Sequence, residues 1–211
     1  GRFKEKFGDK PPFAIINDHL ARVRDICREE GLEPMIWSDM YFRLGSKTHA
    51  YYDMAWTIPA DALAGIPKDV QLVYWDYYHV DVDTYRKMIA FHRQLGSEPL
   101  MAGGIWTWSH LWCALPWSFT AVRACMEASR AEGLAEVFMT MWGDDGMEVD
   151  PFSALPGIQY FCEQAFGAAD PMAAAQRHFE GVCGAPFAPW VRASGIDSIP
   201  LIKQPEQAKT A

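Results

Sequence analysis

The feature that most constrains the fold is a unit that recurs four times along the chain. In each unit a short apolar segment ends at a tryptophan, a polar or acidic residue follows within two positions, and a helix-like segment comes next. The four tryptophans are Trp37, Trp75, Trp106 and Trp142, which lie 31 to 38 residues apart. Short apolar runs between turn residues are typical of buried strands. Strands that alternate with helices predict a parallel sheet and therefore an α/β protein.

Apolar periodicity and glycine stops define the predicted elements. The strands are expected at 35–37, 71–75, 100–106 and 136–142. The helices are expected at 17–30, from Asp81 or Asp83 to about 95, at 119–131, at 152–166 with an interruption near Pro156-Gly157, and at 172–182. The second helix carries Tyr85, Met88, Ile89 and His92 on one face, and we expect His92 to be either a surface residue or a packing residue with a hydrogen-bond partner.

The four tryptophan-ended strands favour a ring of strands over an open sheet. In a (β/α)8 barrel the C-terminal ends of all strands converge on one face, whereas an open sheet binds ligands mainly at one switch point. No G-x-G-x-x-G or phosphate-binding loop follows any strand. Four units make only half a barrel, with two open edges. We expect the other half to precede Gly1; pairing of two copies and an open sheet are the alternatives.

Composition and charge exclude several classes of function. The net charge of -8 and the absence of a basic stripe argue against a nucleic-acid partner. No stretch of 18 apolar residues is free of charge or proline, so no membrane span is expected. The five cysteines are far apart without a C-x-x-C pair, and the histidines lack metal-binding spacing. We therefore expect no metal and no cofactor, and reduced thiols suggest a cytoplasmic location.

Tryptophans and carboxylates at strand ends are suited to binding sugar. Pyranose rings present apolar C–H faces that stack on indole, and their hydroxyls donate hydrogen bonds to carboxylates, each worth roughly 1.5–3 kcal/mol. Asp76 and Asp144 are the main candidates. The alternative for any such aspartate is to cap the following helix, and this alternative stays open for Asp145, Asp81 and Asp83 in particular. His79 and His110 also follow strands and are candidates for the rim.

Strand alternation predicts which of these side chains share a face. Tyr74 and Asp76 are two residues apart and should point to the same side, with Trp75 on the other. If that side is the pocket, the phenol and the carboxylate enter it together and Trp75 is core beneath the helices. The same parity pairs Trp37 with Asp39, Trp106 with Trp108, and Trp142 with Asp144.

The strand-end segments together resemble a known enzyme family. The segments are Met35-Ile36-Trp37-Ser38-Asp39-Met40, Val73-Tyr74-Trp75-Asp76-Tyr77-Tyr78, Gly103-Gly104-Ile105-Trp106-Thr107-Trp108 and, from Val137, V-F-M-T-M-W-G-D-D-G. In order and spacing they look like strands five to eight of family-20 glycoside hydrolases, the β-N-acetylhexosaminidases, and most like the bacterial branch active on terminal N-acetylglucosamine. The resemblance implies that 1–166 is the second half of a TIM (β/α)8 catalytic barrel and that 167–211 begins a C-terminal helical domain.

The resemblance also implies a retaining, substrate-assisted mechanism, in which the 2-acetamido oxygen of the sugar attacks the anomeric carbon and forms an oxazolinium ion. It gives Tyr74 the catalytic task of orienting the acetamido carbonyl. The substrate-binding residues that it implies are Trp37, Asp39, Asp76, Trp106, Trp108, Trp142 and Asp144. The partners implied are glycans that end in N-acetylhexosamine.

The sequence departs from the family in one essential respect. The family's Asp-Glu pair, which orients the acetamido group and supplies the general acid/base, belongs to a segment like H-x-G-x-D-E at strand four, and this chain has none. Strands one to four and the substrate arginine are missing as well. We therefore expect the isolated chain to be inactive, with a missing N-terminal half as its partner. The alternatives are a non-catalytic carbohydrate-binding protein, a half barrel that self-associates as a homodimer, and an unrelated barrel enzyme.

Overall fold

The computed structural model of the chain describes residues 2–197, and their backbone confirms the predicted α/β class with a parallel sheet. The strands are β1 (Met35–Trp37), β2 (Gln71–Trp75), β3 (Leu100–Gly104) and β4 (Val137–Thr140). They form one sheet in chain order. β1 and β2 pair in parallel with Met35 opposite Gln71, and β3 and β4 pair in parallel with Met101 opposite Val137.

Helices separate the strands and follow the last one. They are α1 (Arg2–Phe7), α2 (Pro12–Glu29), α3 (Asp39–Gly45), α4 (Ala60–Ala64), α5 (Val82–Gln94), α6 (Leu115–Ala131), α7 (Leu155–Ala165), α8 (Pro171–Cys183) and α9 (Phe187–Arg192). Short 3₁₀ helices cover Asp144–Gly146, Pro151–Ala154 and Ala193–Asp197.

The predicted helices differ from the observed ones mainly where proline is involved. α2 begins at Pro12, before the predicted start at 17, and α6 begins at Leu115, before the predicted start at 119. Pro156 lies in the first turn of α7, so the expected interruption there is wrong. Proline is tolerated at these positions because the first turn of a helix has no internal partner for its N–H groups.

The chain divides into two compact units. The first contains the residues up to Trp75 together with Lys87–Leu100, and the second contains Asp76–Arg86 and the described residues from Met101 onward. The predicted boundary between 1–166 and 167–211 does not coincide with this division and stays a prediction. Its last residues, 198–211, lie outside the described part of the chain.

In the first unit, α2, α3 and α4 are joined by a buried polar link. The Tyr41 hydroxyl donates to Oδ1 of Asn17 over 3.0 Å, and Nδ2 of Asn17 donates to the Ala62 carbonyl over 3.1 Å. Beside it, the Phe42 ring lies 4.9 Å from Trp56 and 4.5 Å from His92, measured between ring centroids. These contacts fix α2, α3 and α4 relative to one another within the first unit.

In the second unit, one apolar core joins β3 to α6, α7, α8 and α9. Its buried members are Ile105, Cys113, Leu115, Phe119, Val122, Met126, Ala154, Tyr160, Ala175, Phe179 and Phe187. Phe179 of α8 and Phe187 of α9 belong to the same cluster as α6 and α7, so these late helices are part of the same packing unit. Among residues 2–197, no helix is long and apolar enough to cross a bilayer.

Candidate functional site

The C-terminal end of β2 continues into a tight loop that is built around a buried carboxylate. Asp76 is fully buried, and its Oδ1 accepts the backbone N–H groups of Tyr78 over 3.0 Å and of His79 over 3.3 Å. Nδ1 of the His79 ring lies 2.8 Å from Asp76 Oδ2. A charged acceptor that binds three donors fixes both the backbone of this loop and the orientation of the imidazole.

The aromatic side chains of this loop pack against the end of β3. Between ring centroids, Tyr77 lies 4.9 Å from Trp108, Tyr78 lies 5.0 Å from Trp106, and the two tryptophans lie 4.3 Å apart. Trp106 is only 1% exposed and Trp108 only 7%, whereas Tyr78 and Trp142 are half-buried. The two β3 tryptophans therefore support the cluster, and Tyr78 and Trp142 offer the larger aromatic surface to a ligand.

A glycine without a Cβ and a threonine hydroxyl make this packing possible. A Cβ at Gly104 would lie 2.6 Å from Cδ1 of Tyr77, so a glycine in β3 is what admits the tyrosine ring. The Thr107 hydroxyl donates to the Trp142 carbonyl over 2.8 Å, which ties the end of β3 to the end of β4. Nε1 of Trp106 donates to the Ser109 hydroxyl over 2.7 Å, so this buried indole is satisfied.

Both loop tyrosines are held as neutral phenols. Burial raises the pKa of Tyr77 well above its usual value. Burial also raises the pKa of Tyr78, and the negative charges of Asp144 and Asp76 raise it further. Neutral phenols are hydrogen-bond donors, and Asp144, exposed in the turn after β4, is an acceptor close to Tyr78.

The structure corrects the predicted environment of Tyr74. Tyr74 is fully buried and its ring centroid lies 4.8 Å from that of His92 on α5, so Tyr74 faces the helices and not a pocket. Trp75, predicted as core beneath the helices, is only half-buried. Its Nε1 donates to Asp39 Oδ1 over 3.4 Å.

Asp76 also lies on a helix-covered side. Its negative charge adds to burial in raising the pKa of the Tyr85 phenol on α5 and of the Cys125 thiol on α6. Alternation along β2 predicts which residues share a side, but both sides of the strand are apolar. The strand alone therefore does not indicate which side the helices cover, and the side assumed for the pocket is wrong.

The predicted site residues fall into two groups. Trp37, Asp39 and Tyr74 belong to the first unit, where Trp37 is 37% exposed and Asp39 Oδ2 accepts from Nε of Arg43 over 3.0 Å. The second unit contains the others, which are Asp76, Trp106, Trp108, Trp142 and Asp144. The structure places Asp144 near Tyr78, and it places Tyr78 against both β3 tryptophans.

Sequence reasoning missed the two tyrosines of the loop. Tyr77 and Tyr78 follow Asp76 directly, and alternation continued past the strand end would have placed Tyr77 on the side opposite Asp76. Asp81, by contrast, has the predicted capping role, because its Oδ1 accepts the N–H of Thr84 in the first turn of α5 over 2.8 Å.

A groove of about 770 Å³ lies in the first unit, away from the predicted site residues. It is lined by residues of α2 and α3 and by charged residues that include Lys4, Lys10 and Arg43. Within residues 2–197, no group of three or more His, Cys, Asp or Glu side chains could hold a metal ion. No family model and no curated protein matches the chain.

Proposed function

We propose that this chain supplies the sugar-binding half of an exo-β-N-acetylhexosaminidase, as strands five to eight of a (β/α)8 barrel. One observation carries the proposal: the second unit gathers a cluster of Tyr and Trp rings at the ends of its strands, with the carboxylate of Asp144 close enough for its charge to raise the pKa of Tyr78. Aromatic faces and a nearby acid are the two kinds of group that a pyranose ring requires. The order and spacing of the four strand-end segments support the same family.

The geometry supports a different tyrosine for the catalytic task. In the substrate-assisted mechanism, a phenol donates to the acetamido oxygen and holds it in line with the anomeric carbon. Tyr74 is fully buried with its ring against His92, whereas Tyr77, although only 6% exposed, packs on Trp108 within the aromatic cluster at the strand ends. We therefore assign the orienting role to Tyr77.

The remaining roles follow from exposure and charge. The half-buried rings of Tyr78 and Trp142 would stack on the sugar or enclose its acetamido group, and Asp144 would accept hydrogen bonds from ring hydroxyls. Trp106 and Trp108 would hold these groups in place from behind. The proposed N-terminal half would supply the general acid/base, because the 211-residue sequence contains no Asp-Glu dipeptide.

Hydrolysis of an aryl β-N-acetylglucosaminide tests the proposal. We expect no turnover by the 211-residue chain and turnover by a version extended N-terminally to include an Asp-Glu pair. In the extended protein, Tyr77→Phe should lower kcat/KM about 100-fold, because the hydroxyl that orients the nucleophile is lost.

Tyr74→Phe is the matched control, since it removes a hydroxyl from the same strand region on the helix-covered side. It should leave kcat/KM within about threefold of the parent protein. An extended protein without activity would contradict the proposal. An extended protein in which Tyr77→Phe and Tyr74→Phe have the same effect would contradict the assignment of Tyr77.

A non-catalytic carbohydrate-binding protein is the second candidate. This candidate is favoured because the chain contains a cluster of aromatic rings with a nearby carboxylate but lacks the family's acid/base pair. Calorimetric titration with N-acetylglucosamine separates the two: half of a pocket should bind with a Kd in the millimolar range or weaker, whereas a complete binding protein should reach about micromolar affinity.

A further inference from the structure

The loop of residues 76–79 is held by hydrogen bonds from both of the helices beneath it. Nε1 of Trp117 on α6 donates to the Tyr77 carbonyl over 3.0 Å. The hydroxyl of Tyr85 on α5 donates to the His79 carbonyl over 3.0 Å and lies 3.4 Å from the Asp76 carbonyl. Three of the four carbonyl groups of this loop are therefore engaged by buried or half-buried side chains.

Asp76, the first residue of the same loop, binds two of the loop's backbone N–H groups. The carboxylate accepts the N–H groups of Tyr78 and His79, and it is itself engaged by Nδ1 of the His79 ring. Because Nδ1 faces a carboxylate, it carries the proton and Nε2 is the ring nitrogen directed away. The imidazole is 28% exposed and covers a carboxylate that has no exposed surface.

We propose that Asp76 and His79 form a latch that positions Tyr77 and Tyr78 for ligand binding, and that Asp76 is a positioning residue and not a ligand-contacting acid. The inference rests on the proposed function for the identity of the ligand. The latch itself is independent of the proposed function, because it follows from the hydrogen bonds of the loop.

Burial decides between positioning and contact for Asp76. A carboxylate that accepts a sugar hydroxyl must present an oxygen to the ligand, whereas Asp76 is fully enclosed and lies next to Tyr85 and Cys125 of the helix layer. Asp144 is exposed and lies near Tyr78, so it is the acid that a ligand can reach.

The latch matters because the two tyrosines belong to a loop and not to a regular element. Tyr77 and Tyr78 lie between β2 and α5, outside any helix or strand. The hydrogen bonds of Asp76 help to hold the backbone in the conformation that brings their rings against Trp106 and Trp108, the tryptophans that follow β3. Loss of the carboxylate–imidazole contact would free the amides of residues 78 and 79 first, and the position of the rings next.

Three variants test the latch. His79→Leu removes the ring N–H donor, and His79→Asn retains an N–H donor at a similar distance from the backbone. Asp76→Asn replaces a carboxylate oxygen with an amide N–H group, which cannot accept the hydrogen bond from His79. Asp81→Asn is the matched control, because it removes a nearby loop carboxylate that caps α5 without touching residues 76–79. Amide hydrogen exchange measured by NMR and calorimetric titration with N-acetylglucosamine are the two readouts.

We expect His79→Leu and Asp76→Asn to speed exchange of the amides of residues 78 and 79 about tenfold or more, with His79→Asn and Asp81→Asn within about threefold of the parent chain. Sugar affinity should fall about tenfold in the first two variants only. Affinity lost in Asp76→Asn but kept in His79→Leu would overturn the inference, because it would make Asp76 a ligand contact.

The two readouts separate the latch from the proposed function. If the parent chain binds N-acetylglucosamine too weakly to titrate, as expected for half of a pocket, the exchange rates alone decide the latch, and hydrolysis by the extended protein decides the proposed function. If the parent chain binds the sugar and His79→Leu leaves exchange unchanged, the latch fails and the proposed function stands. If Asp76→Asn does not fold, the comparison of His79→Leu with His79→Asn is sufficient.

Discussion

His92 shows at the scale of one residue how the first unit keeps a titratable ring in its core. Its Nδ1 lies 2.7 Å from the Met88 carbonyl, so Nδ1 carries the proton, and its Nε2 therefore accepts from the Ser38 hydroxyl at 2.7 Å. The ring is fully buried between Phe42 and Tyr74. Burial lowers its pKa to about 3, so the folded chain holds this histidine neutral.

This histidine should make stability depend on pH. The pKa of an unfolded histidine is about 6.5, so between about pH 6.5 and 3 the unfolded state binds a proton that the folded state does not. Stability is therefore lost as the pH falls through this window, by up to about 1.4 kcal/mol per pH unit. In urea unfolding between pH 7 and 4.5, His92→Gln should show a shallower loss than the parent chain.

His19→Gln is the control for this measurement, because it removes an exposed histidine of α2 by the same substitution. It should retain the steep pH dependence of the parent chain. Equal slopes in His92→Gln and His19→Gln would mean that the buried ring does not remain neutral in the folded chain.

The helix face that His92 shares could be predicted from the sequence, whereas its burial and the direction of Tyr74 could not. Helical spacing places His92 on one face with Tyr85, Met88 and Ile89, and all four are fully buried. Alternation in β2 sets the relative directions of neighbouring side chains only. Because both sides of the strand are apolar, the choice between them depends on where the helices pack, which is a tertiary property.

At the scale of elements, the two glycines of β3 make room for side chains on opposite faces of the strand. A Cβ at Gly103 would lie 2.4 Å from Cε of Met139 and 3.3 Å from Sγ of Cys125, and a Cβ at Gly104 would lie 2.6 Å from the Tyr77 ring. The structure gives them a packing function on both faces.

Gly104→Ala should therefore disturb the aromatic cluster. The added methyl group would overlap a ring that is held on its other side by Trp108, so we expect a loss of about 1–3 kcal/mol in the free energy of unfolding. Gly181→Ala is the control, because a Cβ at this helical glycine of α8 meets nothing within 4 Å, and it should be neutral or stabilise by up to about 1 kcal/mol. Urea unfolding would show the difference, and equal effects would contradict the packing role.

The long elements could be predicted and several short ones could not. The four strands and the helices α2, α5, α6 and α8 show clear periodicity, and only their ends differ from the prediction. α1, α3, α4 and α9 have five to seven residues, which is too short for an apolar period to develop. Their stability comes from packing such as the Tyr41–Asn17 link and not from local sequence preference.

At the scale of the whole molecule, the sheet has one consequence for association. β1 is at one end of the strand order, and its Met35 and Trp37 are exposed. An edge strand presents backbone N–H and C=O groups that can pair with another chain, and exposed apolar side chains add to this tendency. If the proposed N-terminal half normally lies beside this strand, the chain by itself should associate without a fixed geometry.

Sedimentation velocity over a range of concentrations distinguishes this expectation from a specific homodimer. We expect a mean mass that rises gradually above 23.8 kDa, because an edge that evolved to meet a different segment has no self-complementary surface. Trp37→Lys should suppress the rise, while Val182→Lys, at an exposed apolar residue of α8, should not. A discrete species of twice the chain mass that persists on dilution would instead favour the self-associating half barrel.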